Sequence, residues 1–252
     1  MNGRRREIYA ANWKMNQTSD DIQDFMEDIA PIARECAAEV VIFPTALYLY
    51  QLAQLAEGTK VQVGAQNMFW ERNGAYTGEI SAEMVCDCGG KYVLCGHSER
   101  RHVFGESAEM VTRKARAAQS AGLIPMICVG ETLAEREAGE TLETLHNDIF
   151  CSLAAVEPSA DVVIAYEPVW AIGTGQVATP DDAETAIAYI RELIRELWGD
   201  LADEIRILYG GSVKPDNISE LMACPNIDGA LIGGASLKAN SFASIITNGE
   251  MR

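Results

Sequence analysis

The stretch 162-VVIAYEPVWAIGTGQVATP-180 begins as an apolar run and ends at a helix start. Residues 162–166 carry no charge, as expected of a parallel strand covered on both faces. A carboxylate, Glu167, stands at the end of that run. Pro168 follows and disfavours the αR region at Glu167, so the chain leaves the strand extended. The far end reads as a helix N-terminus. Thr179 can cap, Pro180 suits the first helical position, and Asp181 and Asp182 complement the positive helix end. Ala183, Ile187, Ile190, Ile194 and Leu197 then recur at three- and four-residue steps, and Gly199 closes the run.

The same unit recurs on both sides of this stretch. Apolar runs occupy 7–13, 40–44, 60–66, 91–96, 123–130, 161–168, 206–211 and 229–234, which makes eight. Helical patterns lie between them; a clear one runs from about Glu106 to Ala121 and stops at Gly122. Eight units in 252 residues give about 31 residues each, the size of a βαβ module. No fixed-period repeat and no Pro/Ser/Gly linker divides the chain. The expectation is a single closed (β/α)8 barrel over residues 1–252, ahead of an open doubly wound sheet. Such a barrel keeps its chemistry at the C-terminal ends of the strands.

Bulk properties exclude several classes. The net charge of −17 argues against nucleic acid and anionic membrane surfaces as partners. No apolar run is long enough to span a bilayer, and the start "MNGRRREIYA" has no apolar core of a secretory signal. Seven cysteines at irregular spacing fit free thiols in a reducing cytoplasm. Cys86 and Cys88 form a lone C-x-C without a second pair, which makes a zinc site unexpected.

The strand ends supply a short set of candidates. Asn12 and Lys14 follow the first run, His97 and Glu99 the fourth, and Glu167 the sixth; "YGGS" (209–212) follows the seventh and "GGAS" (233–236) the eighth. Each alone has an ordinary explanation: a rim lysine, a hydrogen-bonded structural histidine, a surface ion pair, a tight turn. Convergence on one barrel mouth is what singles them out. Paired glycines let backbone N–H groups approach an anion, and residues 234–239 suit one helical turn facing it. A carboxylate and an imidazole can share proton transfer. A lysine and an amide can stabilise charge developing on a carbonyl oxygen. With no metal cluster or dinucleotide motif apparent, proton abstraction beside a carbonyl fits.

The motifs "ANWKMN", "GAQNMFWERNGAYTGEIS", "YVLCGHSERR", "CVGETLAEREAG", "AYEPVWAIGTG", "YGGSVKPDN" and "LIGGASL" together resemble the triosephosphate isomerase family over nearly the whole chain. The resemblance implies the (β/α)8 TIM barrel and cofactor-independent, metal-independent interconversion of dihydroxyacetone phosphate and D-glyceraldehyde 3-phosphate in the cytoplasm. By resemblance, Glu167 is the base, neutral His97 shuttles protons between the enediol oxygens, and Lys14 and Asn12 stabilise the enediolate. Glu99 supports Lys14. Backbone groups of Gly173, Ser212, Gly233 and Gly234 hold the phosphate. Residues 168–178 form a lid that Tyr209 and Ser212 hold closed, with Gln176 standing where many relatives have lysine. Residues 67–80 form an interface loop of a homodimer, with Thr77 near the second subunit's Asn12 and Met15 in the receiving pocket. Met68, Phe69 and Trp70 read as exposed in that loop.

Two other readings compete. A Schiff-base aldolase needs a buried lysine, and the sixth, seventh and eighth runs carry none; Lys214 and Lys238 lie beyond the glycine pairs. A non-catalytic metabolite-binding barrel has no need of Glu167, His97 and Lys14 together.

Overall fold

The computed structural model describes residues 5–172 and 177–251. Among them, eight strands close into one parallel barrel in sequence order. They are β1 Ile8–Asn12, β2 Glu39–Phe43, β3 Val61–Ala65, β4 Tyr92–Cys95, β5 Ile124–Val129, β6 Val163–Tyr166, β7 Arg206–Tyr209 and β8 Gly229–Ile232. Each matches one apolar run to within two residues at either end. The helices are α1 Ser19–Glu35, α2 Leu49–Ala56, α3 Ala82–Asp87, α4 Ser98–His102, α5 Ala108–Ser120, α6 Leu133–Glu137, α7 Thr141–Leu153, α8 Pro180–Trp198, α9 Ile218–Ala223 and α10 Ala239–Glu250. None is long and apolar enough to cross a membrane.

Side chains along the strands alternate between two separate cores. Ile8, Ala10, Val41, Phe43, Tyr92, Leu94, Met126, Cys128, Val163, Ala165, Leu208 and Leu231 fill the barrel interior. Their neighbours, such as Tyr9, Ala11, Ile164 and Tyr166, face the helical layer. Both faces are buried, so the runs read as continuous apolar sequence rather than as alternation. The pleat also sets the site. One step above Ala10 and Ala165, the next inward positions are Asn12 and Glu167, at the C-terminal mouth.

The helix after β6 forms as its sequence directs. The Thr179 hydroxyl accepts the Asp182 N–H at 3.1 Å, and the Asp182 carboxylate accepts the Thr179 N–H at 3.1 Å. Pro180 occupies the first turn, and Gly199 ends the helix at φ 62°. Ala183, Ile187, Ile190 and Ile194 are buried, whereas Leu197 stays exposed in the last turn. The packed stripe runs instead through Leu193 and Ile194. The helix from Ala108 to Ser120 starts at a Ser107 cap, and Gly122 follows it at φ 84°.

The loop after β3 differs from expectation. Met68 is fully buried, and Phe69 and Trp70 are half-buried. The Phe69 N–H donates to the Ile80 carbonyl at 2.8 Å. That bond closes the loop at its base and turns Met68 into the layer between strands and helices. Phe69 packs on Trp70 and on Tyr76, with ring centres 4.1 and 4.5 Å apart. Only residues 71–79 are exposed.

At the opposite end of the barrel, Arg191 and Asp228 form a buried pair at 2.8 Å. Asp228 also accepts from Arg5 at 2.7 Å and from the Ile207 N–H at 2.9 Å. This face holds the barrel closed and lies away from the mouth.

Candidate active site

Lys14 sits just past β1 with φ 52°, a region that costs a non-glycine residue about 1–3 kcal/mol unless its surroundings hold it. Here they do. Its N–H donates to Asn12 Oδ1 at 3.1 Å, and its carbonyl accepts from Gln66 Nε2 at 2.8 Å. Gln66 bonds the Phe43 carbonyl as well, at 2.9 Å. The side chain then reaches Glu99, with Nζ to Oε1 at 2.7 Å.

His97 caps the short helix that follows β4. Its Nδ1 accepts the Glu99 N–H at 3.2 Å, and its Nε2 lies 3.0 Å from Glu167 Oε1. Burial works against charging the ring, while the Glu167 carboxylate draws its pKa upward, and the upward pull prevails in this arrangement. The Glu99 amide fixes the proton's position nevertheless. A nitrogen that accepts a hydrogen bond holds a lone pair, so the ring carries its proton on Nε2, directed at Glu167. The positive end of the helix at Ser98 reinforces the neutral form.

Glu167 follows β6 and is almost wholly buried. Its second oxygen accepts the Ser98 N–H at 2.8 Å. Burial alone raises the carboxyl pKa; His97, the Ser98 amide and Lys14 outweigh it and hold the group below its ordinary value. Two glycines make room for this residue. A Cβ on Gly130, at φ 156°, would stand 1.9 Å from the Glu167 carbonyl oxygen, and one on Gly210 would stand 2.9 Å from Glu167 Cγ.

Asn12, Lys14, His97 and Glu167 all line one cavity of about 290 Å³, whose far wall is Gly210, Ser212, Gly233 and Gly234. Residues Gly234–Leu237 form a single tight turn, shorter than the 234–239 expected. Tyr209 is buried, and its hydroxyl has no hydrogen-bond partner among the described residues. Burial, with the nearby negative charge of Asp182, pushes that hydroxyl's pKa up to about 12. Gly173 and Gln176 lie outside the described residues. A second cavity of about 440 Å³ opens from Asn12, Lys14 and His97 toward Met15, Gly78, Glu79 and Phe104. Met15 is 92% exposed there, and Thr77 is exposed.

Gln66 and Ser98 were not singled out from sequence, and Gly210 was read only as half of a glycine pair facing an anion. Gln66 and Ser98 sit inside the motifs "GAQNM" and "CGHSERR", yet their bonds run to residues distant in the chain. Only the folded barrel makes those bonds visible.

Fold and site together define a parallel barrel enzyme of the acid–base type, with a buried carboxylate and imidazole in contact at its C-terminal mouth. Comparison with known proteins narrows this. The family model described as triosephosphate isomerase matches residues 7–249. The chain is 51% identical to "Triosephosphate isomerase" of Moorella thermoacetica over 244 residues, covering 96% of this chain and 98% of that one. It is 50% identical to the protein of the same name from Rubrobacter xylanophilus over 254 residues, covering 98% of each. With that of Thermoanaerobacter pseudethanolicus it shares 50% over 245 residues, 96% of this chain and 99% of the relative. The chain belongs to the triosephosphate isomerase family.

Proposed function

We propose that the protein interconverts dihydroxyacetone phosphate and D-glyceraldehyde 3-phosphate, without a cofactor, in glycolysis and gluconeogenesis. It is an aldose–ketose isomerase acting by proton transfer through an enediol(ate). Glu167 removes the proton from C1 and returns it at C2. Neutral His97 donates from Nε2 to the substrate carbonyl and shuttles protons between the two oxygens. Lys14 and Asn12 stabilise the developing oxyanion, and Glu99 orients Lys14. Ser212, Gly233 and Gly234 receive the phosphate, with Gly173 completing that cradle in the family reading. Residues 168–178 act as the lid, held closed by Tyr209 and Ser212; closure excludes water from the enediolate.

One observation carries this reading: Nε2 of a histidine whose Nδ1 accepts an amide proton lies 3.0 Å from a buried carboxylate. A coupled assay for triose phosphate interconversion, run without added metal or nucleotide, tests it. Fast turnover in both directions is expected. No turnover would favour a metabolite-binding barrel.

The working unit in this proposal is a homodimer of single-domain chains in a reducing cytoplasm. Support comes from Met15 and Phe104, both more than 60% exposed, which line the cavity that opens into the site. Loop 67–80 of a second subunit fits there, bringing Thr77 toward Asn12.

A further inference from the structure

The motif CVGETLAEREAG, residues 128–139, has no part in the proton-transfer scheme. Two of its side chains nonetheless meet the segment that follows the base. Glu131 is fully buried. It accepts from Trp170 Nε1 at 2.8 Å and from the Tyr166 hydroxyl at 3.1 Å, and its carbonyl accepts the Val169 N–H at 3.0 Å. Arg136 covers the Trp170 ring at 4.1 Å. Its Nη1 lies 3.7 Å from Glu131 Oε1, and its Nη2 lies 3.0 Å from Asp182 Oδ1. Asp182 is half of the capping box that starts α8. One guanidinium therefore touches both Trp170, three residues after the base, and the first turn of the next helix.

We propose that Arg136 is a positioning residue for Glu167, tying Trp170 to the start of α8 and so fixing the path of the chain that bears the base. The inference rests on the isomerase reading above. A planar guanidinium suits the task because it can stack on a ring and bond two carboxylates at once, which an ammonium cannot. Glu131 needs the partner, since a buried carboxylate loses much when its counter-charge is removed. The contact with Asp182 is half exposed and adds little stability by itself; its effect is geometric. Pro168 stiffens the link from Trp170 back to Glu167, so a displacement at Trp170 is felt at the carboxylate. A shift of about 1 Å there can cost up to about a hundredfold in rate.

The test is steady-state kinetics on Arg136→Met and Arg136→Lys, with Glu131→Gln for a double-mutant cycle. In Arg136→Met, kcat is expected to fall about tenfold while KM moves by less than about threefold. Arg136→Lys should recover only part of the loss. The double variant Arg136→Met/Glu131→Gln should cost no more than the worse single one. A kcat within about twofold of the parent, or losses that multiply, overturns the proposal. Where Arg136→Met does not fold, Arg136→Lys and Asp182→Asn serve in its place, and parental kcat in both overturns it. An inactive parent enzyme sinks the isomerase reading instead. In that case the Trp170 indole N–H resonance still reports on the clamp: a shift in the Arg136 variants is expected, and an unchanged resonance overturns it.

Discussion

The backbone N–H of Ser98 donates to Glu167 Oε2 at 2.8 Å, while His97 Nε2 lies 3.0 Å from the other carboxylate oxygen. Both oxygens of the base are thus occupied before substrate arrives. Substrate must take over the imidazole contact, and the carboxylate must leave the amide to reach a carbon-bound proton. Shortening the side chain by one methylene moves the carboxylate off that path. Glu167→Asp is expected to lose about two to four orders of magnitude in kcat, and Glu167→Gln at least as much, with fold retained. Undiminished turnover in Glu167→Asp would remove it from the role of base.

His97→Gln keeps a hydrogen-bond donor but cannot carry a proton from one oxygen to the other. Its kcat is expected to fall by about two orders of magnitude or more, with a smaller change in KM. The coupled assay reads both constants. A loss confined to KM would leave His97 a binding group only.

The pH profile follows from the depressed pKa of Glu167. Its folded value lies below the ordinary 4.5, so the ionised carboxylate stabilises the fold above that range. This contribution is lost as pH falls through the depressed value. Activity should follow the same limb. Once the substrate phosphate's own ionisation near about 6 and the upward-shifted titration of His97 are allowed for, Glu167 itself should add no limb to kcat/KM above about pH 4.5. An enzyme limb between about 5 and 7 that persists in His97→Gln would contradict the assignment.

Gly210 separates β7 from the base. A Cβ there would stand 2.9 Å from Glu167 Cγ and 3.1 Å from the Tyr166 carbonyl oxygen. Gly210→Ala is expected to lower kcat about ten- to a hundredfold by displacing the carboxylate, with little change in secondary structure by circular dichroism. Parental kcat would show that Glu167 has room to spare.

Stability should be separable from chemistry. Asp228→Asn leaves Arg191 buried without its counter-charge at the far end of the barrel. Denaturant unfolding should register a loss of about 3–5 kcal/mol, while kcat at a temperature where the variant is folded stays close to parental. A large drop in kcat would mean the two ends of the barrel are coupled.

Charge placed on the exposed rim tests the dimer. Met15→Glu or Thr77→Arg should yield monomers by sedimentation velocity, with reduced turnover because Lys14 and His97 border the same cavity. Monomers with full activity would show that each chain's site is complete alone.

Much of this architecture was legible in the chain. Eight apolar runs became eight strands, and Thr179, Pro180 and Gly199 bounded their helix as local chemistry requires. The inward positions Asn12 and Glu167 follow from pleat periodicity once the strands are known. Local pattern fails where the answer is a tertiary contact. Met68 reads as exposed because its neighbours are turn-like, yet the Phe69–Ile80 bond tucks it inward. Gln66 looks like any polar residue at a strand end, and only the fold brings it to the Lys14 carbonyl. Glu131 and Arg136 belong to a helix start that says nothing of Trp170, some 35 residues on in sequence.

The barrel interior beneath Glu167 has a bearing on isotope traffic. Ala165 and Cys128 fill the space below the base, and neither is more than 1% exposed. Burial pushes the Cys128 thiol well above its ordinary range, so it neither gives up nor accepts a proton near neutrality. In the proposed reaction, a hydron taken up by Glu167 therefore reaches solvent, among the described residues, by way of the cavity at the mouth. While substrate occupies that mouth, deuterium or tritium abstracted from C1 competes poorly with bulk water for exchange. A fraction of the label should return to C2 of the same molecule.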